Sequence, residues 1–347
     1  MTIIDEQRNT PTTSTRPVFE VKNLSIQARK NKYTTVPILQ DVSFSIAEGE
    51  VLGLVGESGS GKTVTSLAAM RLLPEGLEVT SGSIEFGGRD LLTLPATELR
   101  SIRGADMAMI FQDALRCLNP AYTIGDQIAE PLRTHRGMSK RQAHARAVEL
   151  LEMVEIPRAA ERASAYPHEL SGGMCQRVMV AIALSCSPKL LIADEPTTAL
   201  DVTVQKQVLR LLERLQADLG LAVLFITHDL GVVAEVCHRT AVMYAGQVVE
   251  IGHKKDLFLE PNHPYTSGLI SSVPTTDSSG DRRFGSIRGS VPQPGSWPTG
   301  CHFFNRCDHG RTGLCDVGTI PLEPADAGRR KVRCVRVDEL ELKGFGQ

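Results

Sequence analysis

Three groups of residues in this sequence have the types and spacing to handle phosphate. The first is Gly56-Glu57-Ser58-Gly59-Ser60-Gly61-Lys62-Thr63, which fits the G-x-x-x-x-G-K-[ST] pattern in full. Its glycines let backbone N–H groups turn inward around phosphate oxygens. Lys62 supplies charge for the β and γ phosphates of a nucleotide, and the Thr63 hydroxyl suits Mg²⁺. The second group is Asp194-Glu195, which closes the apolar run Leu190–Ala193. Asp194 suits a further Mg²⁺ contact, direct or through water, and Glu195 could orient or deprotonate an attacking water. The third is His228, directly after Leu221–Ile226 and Thr227. A lone histidine at a strand end is more often structural, but beside the other two groups it reads as a γ-phosphate contact.

The elements that must position these groups can be read from periodicity. Asp41–Ile46 alternates polar and apolar residues as a half-buried strand does, Ala47–Glu50 is a turn, and Val51–Val55 is a short apolar run suited to burial on both faces. After the glycine-rich loop the pattern predicts a helix from about Thr63 to Leu73, stopped by Pro74. It then turns helical from about Leu91 to Ser185, with Ser139 capping a helix whose Val148, Leu151 and Val154 share a face. Leu190–Ala193 and Leu221–Ile226 are further buried strands. Between them Val204, Val208, Leu211, Leu215 and Leu219 mark an amphipathic helix ended by Gly220. Ala241–Tyr244 and Val248–Ile251 predict a hairpin. Alternating strands and helices imply a largely parallel sheet with helices on both faces, whose ligands bind beyond the C-terminal strand ends. All three chemical groups sit at such ends. Residues 274–300 shift to Gly, Ser, Pro and Thr, the composition of a linker or irregular arm.

Bulk properties exclude some classes. The 347 residues carry 38 Lys+Arg against 40 Asp+Glu, a net charge of −2, which gives no basic face for nucleic acid. No apolar run approaches the roughly 18 residues that cross a bilayer. Residues 1–17 are polar and Thr-rich, without the apolar stretch of a signal peptide. The expectation is a chain made and kept in the cytosol, reaching membranes only through partners. Four of the eight cysteines, Cys301, Cys307, Cys315 and Cys334, cluster late with the spacing C-x5-C-x7-C-x18-C. In a reducing compartment that reads as metal ligation or as free thiols, and the spacing matches neither common zinc fingers nor ferredoxins.

What narrows the class is Leu170-Ser171-Gly172-Gly173-Met174, followed by Gln176-Arg177. Ser171 suits a helix cap, and the glycines permit close backbone approach, giving a second helix N-terminus suited to phosphate. This stretch resembles the signature motif of ABC ATPases. Gln112 in Ile110–Asp113 resembles their Q-loop, Thr198–Asp201 their D-loop, and His228 their switch histidine. The resemblance covers about residues 17–260. It implies an α/β fold: a P-loop ABC ATPase domain with a mixed sheet and helices, an antiparallel β part and a helical subdomain at about 91–185. Residues 1–16 would then be a flexible tail, and 261–347 a small irregular C-terminal extension bearing the cysteines.

The resemblance further implies ATP and Mg²⁺ as ligands, the metal held through Thr63, Gln112 and Asp194. It implies two ATPase domains meeting head to tail, with Ser171, Gly172, Gly173 and Asp201 contacting the nucleotide of the other. A narrower similarity, to peptide-importer ATPases, is carried by Phe111–Pro120, Ile226–Val236 and His263–Pro274. The sequence departs from that pattern at Ala114, Leu115, Arg116, Cys117 and Cys175. Members of that subfamily share such a cysteine set, some with a four-iron, four-sulfur cluster; zinc, with His302 and His309 as spare ligands, is the alternative. Implied partners are two membrane permease subunits, a second ATPase subunit and, indirectly, an extracytoplasmic binding protein, with the chain at the cytoplasmic face of the membrane. Rival readings are a different cargo (oligosaccharide, glutathione or nickel) or a non-transport ABC ATPase. One phosphate loop, one signature and no basic stripe weigh against the latter.

Overall fold

In the computed structural model of the protein, the described residues are 16–345 except 32, 199, 274, 277–281 and 284–285. The expected tail therefore lies almost wholly outside the described residues, as do Ala199 and parts of the 274–300 arm.

The strands are β1 (Phe19–Arg29), β2 (Thr35–Ile46), β3 (Val51–Val55), β4 (Leu77–Phe86), β5 (Arg89–Asp90), β6 (Met107–Ile110), β7 (Leu190–Asp194), β8 (Ala222–Thr227), β9 (Arg239–Tyr244), β10 (Gln247–His253), β11 (Thr275–Thr276), β12 (Arg282–Arg283), β13 (Glu323–Ala325) and β14 (Arg330–Val332). The helices are α1 (Lys62–Ala69), α2 (Ala96–Ile102), α3 (Ala114–Cys117), α4 (Ile124–Arg136), α5 (Lys140–Met153), α6 (Ala159–Arg162), α7 (Gly172–Leu184), α8 (Val202–Leu219), α9 (Leu230–Val236), α10 (Lys254–Leu259) and α11 (Pro264–Ser271).

β3, β7 and β8 are buried at every position, as unbroken apolar runs require when both faces of a sheet are covered. They lie in an eight-stranded sheet of order β13-β14-β10-β9-β3-β8-β7-β6. The pairs from β9 through β6 are parallel, and β10, β14 and β13 add antiparallel strands at one edge. The extension thus supplies two strands to the main sheet. A second, antiparallel sheet has the order β2-β1-β4-β5.

Strand alternation divides the core in two. Val51 and Val55 of β3, with Leu191 and Ala193 of β7, pack toward α4, α5 and α7. Leu52 and Leu54, with Leu190 and Ile192, pack toward α1, α2 and the antiparallel sheet. Helices do lie on both faces, but on the second face α1 and α2 share the cover with the antiparallel sheet.

Register sets the active edge. Val55 pairs with Thr227 and Asp194 with Ile226, so β3, β8 and β7 end side by side. Several local expectations need correction. The helix after the loop ends at Ala69, short of Pro74, because Arg71 takes a left-handed φ of 48°. The 91–185 stretch is not wholly helical: Met107–Ile110 is the parallel edge strand β6, too short and too uniformly apolar to show a period of two. On α5 the buried stripe is Ala143, Ala147, Leu150 and Leu151, continued by Val154, with Val148 only partly buried. Ser139 does cap it, in a reciprocal box with Gln142. Leu219 of α8 is exposed rather than packed, and Gly220 closes the helix at φ 61°.

Candidate phosphate site and cysteine cavity

The loop between β3 and α1 is pressed into place by its own chain. Gly56 has a φ of 156°, and a Cβ there would sit 2.1 Å from the Met243 carbonyl oxygen. Only glycine fits such an approach. Gly246 N–H, in the β9–β10 turn, donates to the Ser60 carbonyl at 3.0 Å. Lys62 is buried, and its Nζ donates to the carbonyls of Gly56 (2.8 Å) and Glu57 (3.1 Å). Burial lowers the Lys62 pKa. A desolvated cation resting on loop carbonyls gains from the arrival of phosphate charge.

Asp194 closes β7 next to α1. Thr63 Oγ1 and Ser66 Oγ donate to its two oxygens, at 3.4 and 3.2 Å. Burial raises the Asp194 pKa against those hydrogen bonds. A buried carboxylate beside a threonine hydroxyl is an oxygen donor set suited to a hard cation.

Glu195 is the hub. It stands in a left-handed conformation at φ 48°, a strain of about 1–3 kcal/mol of the kind that collects at functional sites. Its N–H donates to Ile226 O at 2.9 Å, tying it to β8. Gln112 Nε2 and Thr198 Oγ1 both donate to its Oε2 at 2.9 Å. His228 Nδ1 lies 3.1 Å from Oε1. Burial pushes against a charge on Glu195. The hydrogen bonds from His228 and Thr198, with the positive charges of His228 and Lys62, outweigh it and hold the carboxyl below its ordinary range. A poised carboxylate linked to a histidine and an amide, at the phosphate edge, is equipped to fix and polarise a water.

The structure thus brings together residues 56–63, Asp194, Glu195, His228 and Gln112. It does not bring the signature to them. Ser171 caps α7 by accepting from Met174 N–H at 3.4 Å, and Ser171 and Gly172 are exposed. A Cβ on Gly173 would fall 2.5 Å from Val204 Cγ1 of α8, while one on Gly172 would meet nothing within 4 Å. Asp201 caps α8, accepting from Thr203 and Val204 N–H, both at 3.0 Å. These residues carry no contact to the loop, Asp194, Glu195 or His228 among the described residues.

Sequence reading missed three contributors: Ser66 on Asp194, and Tyr265 and Arg306 on Glu57. Ser66 had a signal, since it follows Thr63 by one helical turn. Arg306 had none, standing 249 positions from its partner.

Cys301, Cys307, Cys315 and Cys334 line one small cavity, with His309 also on its wall. Among the described residues no three His, Cys, Asp or Glu side chains come close enough to hold a single metal ion. Burial pushes the Cys301 thiol up to about 12 and the Cys334 thiol up to about 11, and raises Cys307. His302 is turned away: its Nδ1 donates to Ala245 O at 2.7 Å and its ring lies tilted against Trp297, the ring centres 4.6 Å apart. Trp297 in turn packs on Gly246, so it serves as packing.

With the geometry described, comparisons place it among known proteins. The family model described as "ABC transporter" matches residues 39–198. The one described as "Oligopeptide/dipeptide transporter, C-terminal region" matches 249–315. A putative peptide import ATP-binding protein of Brucella abortus is 51% identical over 320 residues, covering 92% of this chain and 95% of that protein. The dipeptide transport ATP-binding protein DppD of Haemophilus influenzae is 49% identical over 317 residues, covering 91% and 94%. Among solved structures, a dimeric post-hydrolysis state of an ATP-binding cassette bound to ADP and Pi aligns with a TM-score of 0.60 at 31% identity, covering 68% of this chain and 98% of that one.

Proposed function

We propose a function from a plain premise: this chain belongs to the family of ABC transporter ATP-binding proteins. It is the ATP-binding and hydrolysing subunit of such a transporter, and the cargo is peptide, imported through a permease. The observation that carries the hydrolytic reading is the Glu195 hub, a strained, hydrogen-bonded carboxylate at the ends of β7 and β8 beside the buried Lys62. The peptide reading is supported by the names of the relatives and by the C-terminal family match.

The residues act as follows. Loop N–H groups and Lys62 bind the β and γ phosphates of ATP, Lys62 leaving its carbonyl partners for them. Thr63, Asp194 and Gln112 would hold Mg²⁺, which would supply positive charge against the β and γ phosphates. Glu195 orients the attacking water and accepts its proton, while His228 steadies Glu195 and faces the γ-phosphate. Ser171, Gly172, Gly173 and Asp201 are offered to the nucleotide of a second ATPase subunit, a reading supported by the exposure of Ser171, Gly172 and Asp201 and by the dimeric cassette that the chain resembles. Closure of the pair around two nucleotides drives the permease, and hydrolysis resets it. Among the described residues no helix is long and apolar enough to cross a membrane. In this reading the chain docks on the cytoplasmic side of two permease subunits, fed by an extracytoplasmic binding protein.

The cysteine cavity is read as the seat of a four-iron, four-sulfur cluster rather than zinc. The reading is supported by the four cysteines lining one small cavity. Cys301, Cys307, Cys315 and Cys334 would hold the cluster, whose contribution is to cross-link the extension. Iron and sulfide analysis of anaerobically purified protein checks this; stoichiometric zinc without iron would sink it.

Uptake of labelled di- and oligopeptides in source cells tests the main reading. Glu195→Gln should abolish uptake while the protein level holds. Unchanged uptake would overturn the peptide assignment and direct the search to sugars, glutathione or metals.

A further inference from the structure

Arg306 lies in the short 3₁₀ turn Phe304–Arg306, between Cys301 and Cys307. It is 7% exposed, although it carries a full charge. Its Nη1 donates to Glu57 Oε2 at 2.7 Å and its Nη2 to Oε1 at 3.1 Å, a bidentate pair. Its Nε donates to Arg288 O at 2.6 Å, and its guanidinium lies over the Tyr244 ring. Glu57 is the second residue of the phosphate loop. Its N–H donates to Tyr265 Oη at 2.9 Å, and its carbonyl accepts from Lys62. The loop is thus pinned at the amide, carbonyl and carboxylate of one residue, and the carboxylate pin comes from the cysteine-bearing segment.

A second route runs from the same segment. His302, next to Cys301, donates to the Ala245 carbonyl. The adjoining Gly246 N–H donates to Ser60 O. Two neighbouring residues of the extension therefore reach loop residues 57 and 60, one directly and one through the β9–β10 turn.

We propose that the cysteine-bearing segment is a clamp on the phosphate loop, with Arg306 as a positioning residue for ATP binding. Arg306 touches no part of the Glu195 hub, so it acts on the frame that receives phosphate and not on the water that attacks it. Whatever fixes Cys301 and Cys307 also fixes Arg306, so the order of the cysteine cavity is felt at the ATP site. This deepens the ATP-binding reading of residues 56–63 and rests on it.

The test is the Kd of a fluorescent ATP analogue for the full chain, with a thermal melt of each variant. Arg306→Ala and Glu57→Gln should each weaken binding by about tenfold, and the double variant should be no weaker than either single, as expected for two halves of one contact. Arg306→Lys should recover part of the loss. In the assembled ATPase, KM for ATP should rise while kcat holds within about twofold. A cooperatively melting Arg306→Ala with wild-type Kd, or a double variant whose losses multiply, overturns the clamp. If Arg306→Ala does not fold, Glu57→Gln decides by the same Kd criterion, since it keeps the loop and one acceptor. Failure of the wild-type chain to bind the analogue would sink the ATP-site reading itself, whereas wild-type binding indifferent to both substitutions sinks the clamp alone.

Discussion

The phosphate loop and the signature turn are built from the same parts and finished differently. Each is a glycine-bearing turn that opens a helix, α1 or α7, and each offers free N–H groups at a positive helix end. The loop is walled in: Gly56 abuts the Met243 carbonyl, Lys62 is buried, and Glu57 is pinned from the far end of the chain. The signature is open: Ser171 does no more than cap its own helix, and the space beside Gly172 is empty. The difference teaches which of the two turns is shaped by contacts within the chain and which is left open. In the proposed reading the open one serves the nucleotide of a second subunit.

The two glycines should therefore behave oppositely when given a methyl group, and this is the largest effect expected. Gly56→Ala forces a Cβ into backbone at a φ of 156°, costing about 3 kcal/mol or more in strain and overpacking. It should abolish nucleotide binding, and in a marginal chain folding as well. Gly172→Ala meets open space at the first position of a helix, so the isolated chain should melt no lower and bind nucleotide as before. Its hydrolysis, measured in the assembled transporter, should still fall severalfold, because the methyl group obstructs a close backbone approach to phosphate. Wild-type hydrolysis by Gly172→Ala would break the contrast.

Glu195→Gln comes next. Removing a positioned general base usually costs about 10²–10⁴ in rate, while the phosphate contacts of the loop are untouched. ATP should bind with wild-type affinity and turn over at least a hundredfold more slowly, by single-turnover assay. A variant that loses binding and hydrolysis together would mean that Glu195 serves the loop and not the chemistry.

Ser171→Ala separates stability from partnership. Loss of an N-cap costs about 1 kcal/mol, visible as a modest fall in melting temperature of the isolated chain. In the assembled enzyme hydrolysis should fall further than Gly172→Ala alone predicts if the Ser171 hydroxyl also reaches the opposing nucleotide. A melt change without a rate change would confine Ser171 to its helix.

How much of this was legible depended on whether an element announces itself locally. The loop at 56–63, the strands that end at Val55, Asp194 and Thr227, and the caps at Ser139 and Ser171 rest on short-range patterns, and they could be read directly. The strand Met107–Ile110 could not, because a buried parallel edge strand of four residues has no alternation to display. The antiparallel sheet β2-β1-β4-β5 was expected from the family resemblance and not from periodicity, because only tertiary packing joins it to the main sheet. Arg306 was invisible for a related reason: its partner is 249 positions away, and nothing at either end requires the other. Clustering of the four cysteines left metal ligation or free thiols open, and only the fold shows that they share a cavity and that His302 does not face it.

The smallest effect concerns pH, and it again separates the residues this chain uses itself from those it lends. Glu195 is held below its ordinary range against the pull of burial, and His228 supplies two of the opposing influences, a hydrogen bond and a charge. A carboxyl whose folded pKa is depressed adds stability above its unfolded pKa, near 4.5 here, and loses it as pH falls through the lower folded value. Removing His228 leaves burial less opposed, so the Glu195 pKa should rise. In His228→Ala the acid limb of the hydrolysis profile should move to higher pH, on top of a uniform loss if the proposed γ-phosphate contact is made. Ser171→Ala, which does not touch Glu195, should scale the whole profile and leave that limb where it is. Profiles of kcat for both variants between pH values of about 4 and 8 would decide it. A limb that stays fixed in His228→Ala would show that Thr198, Gln112 and Lys62 keep Glu195 charged without it.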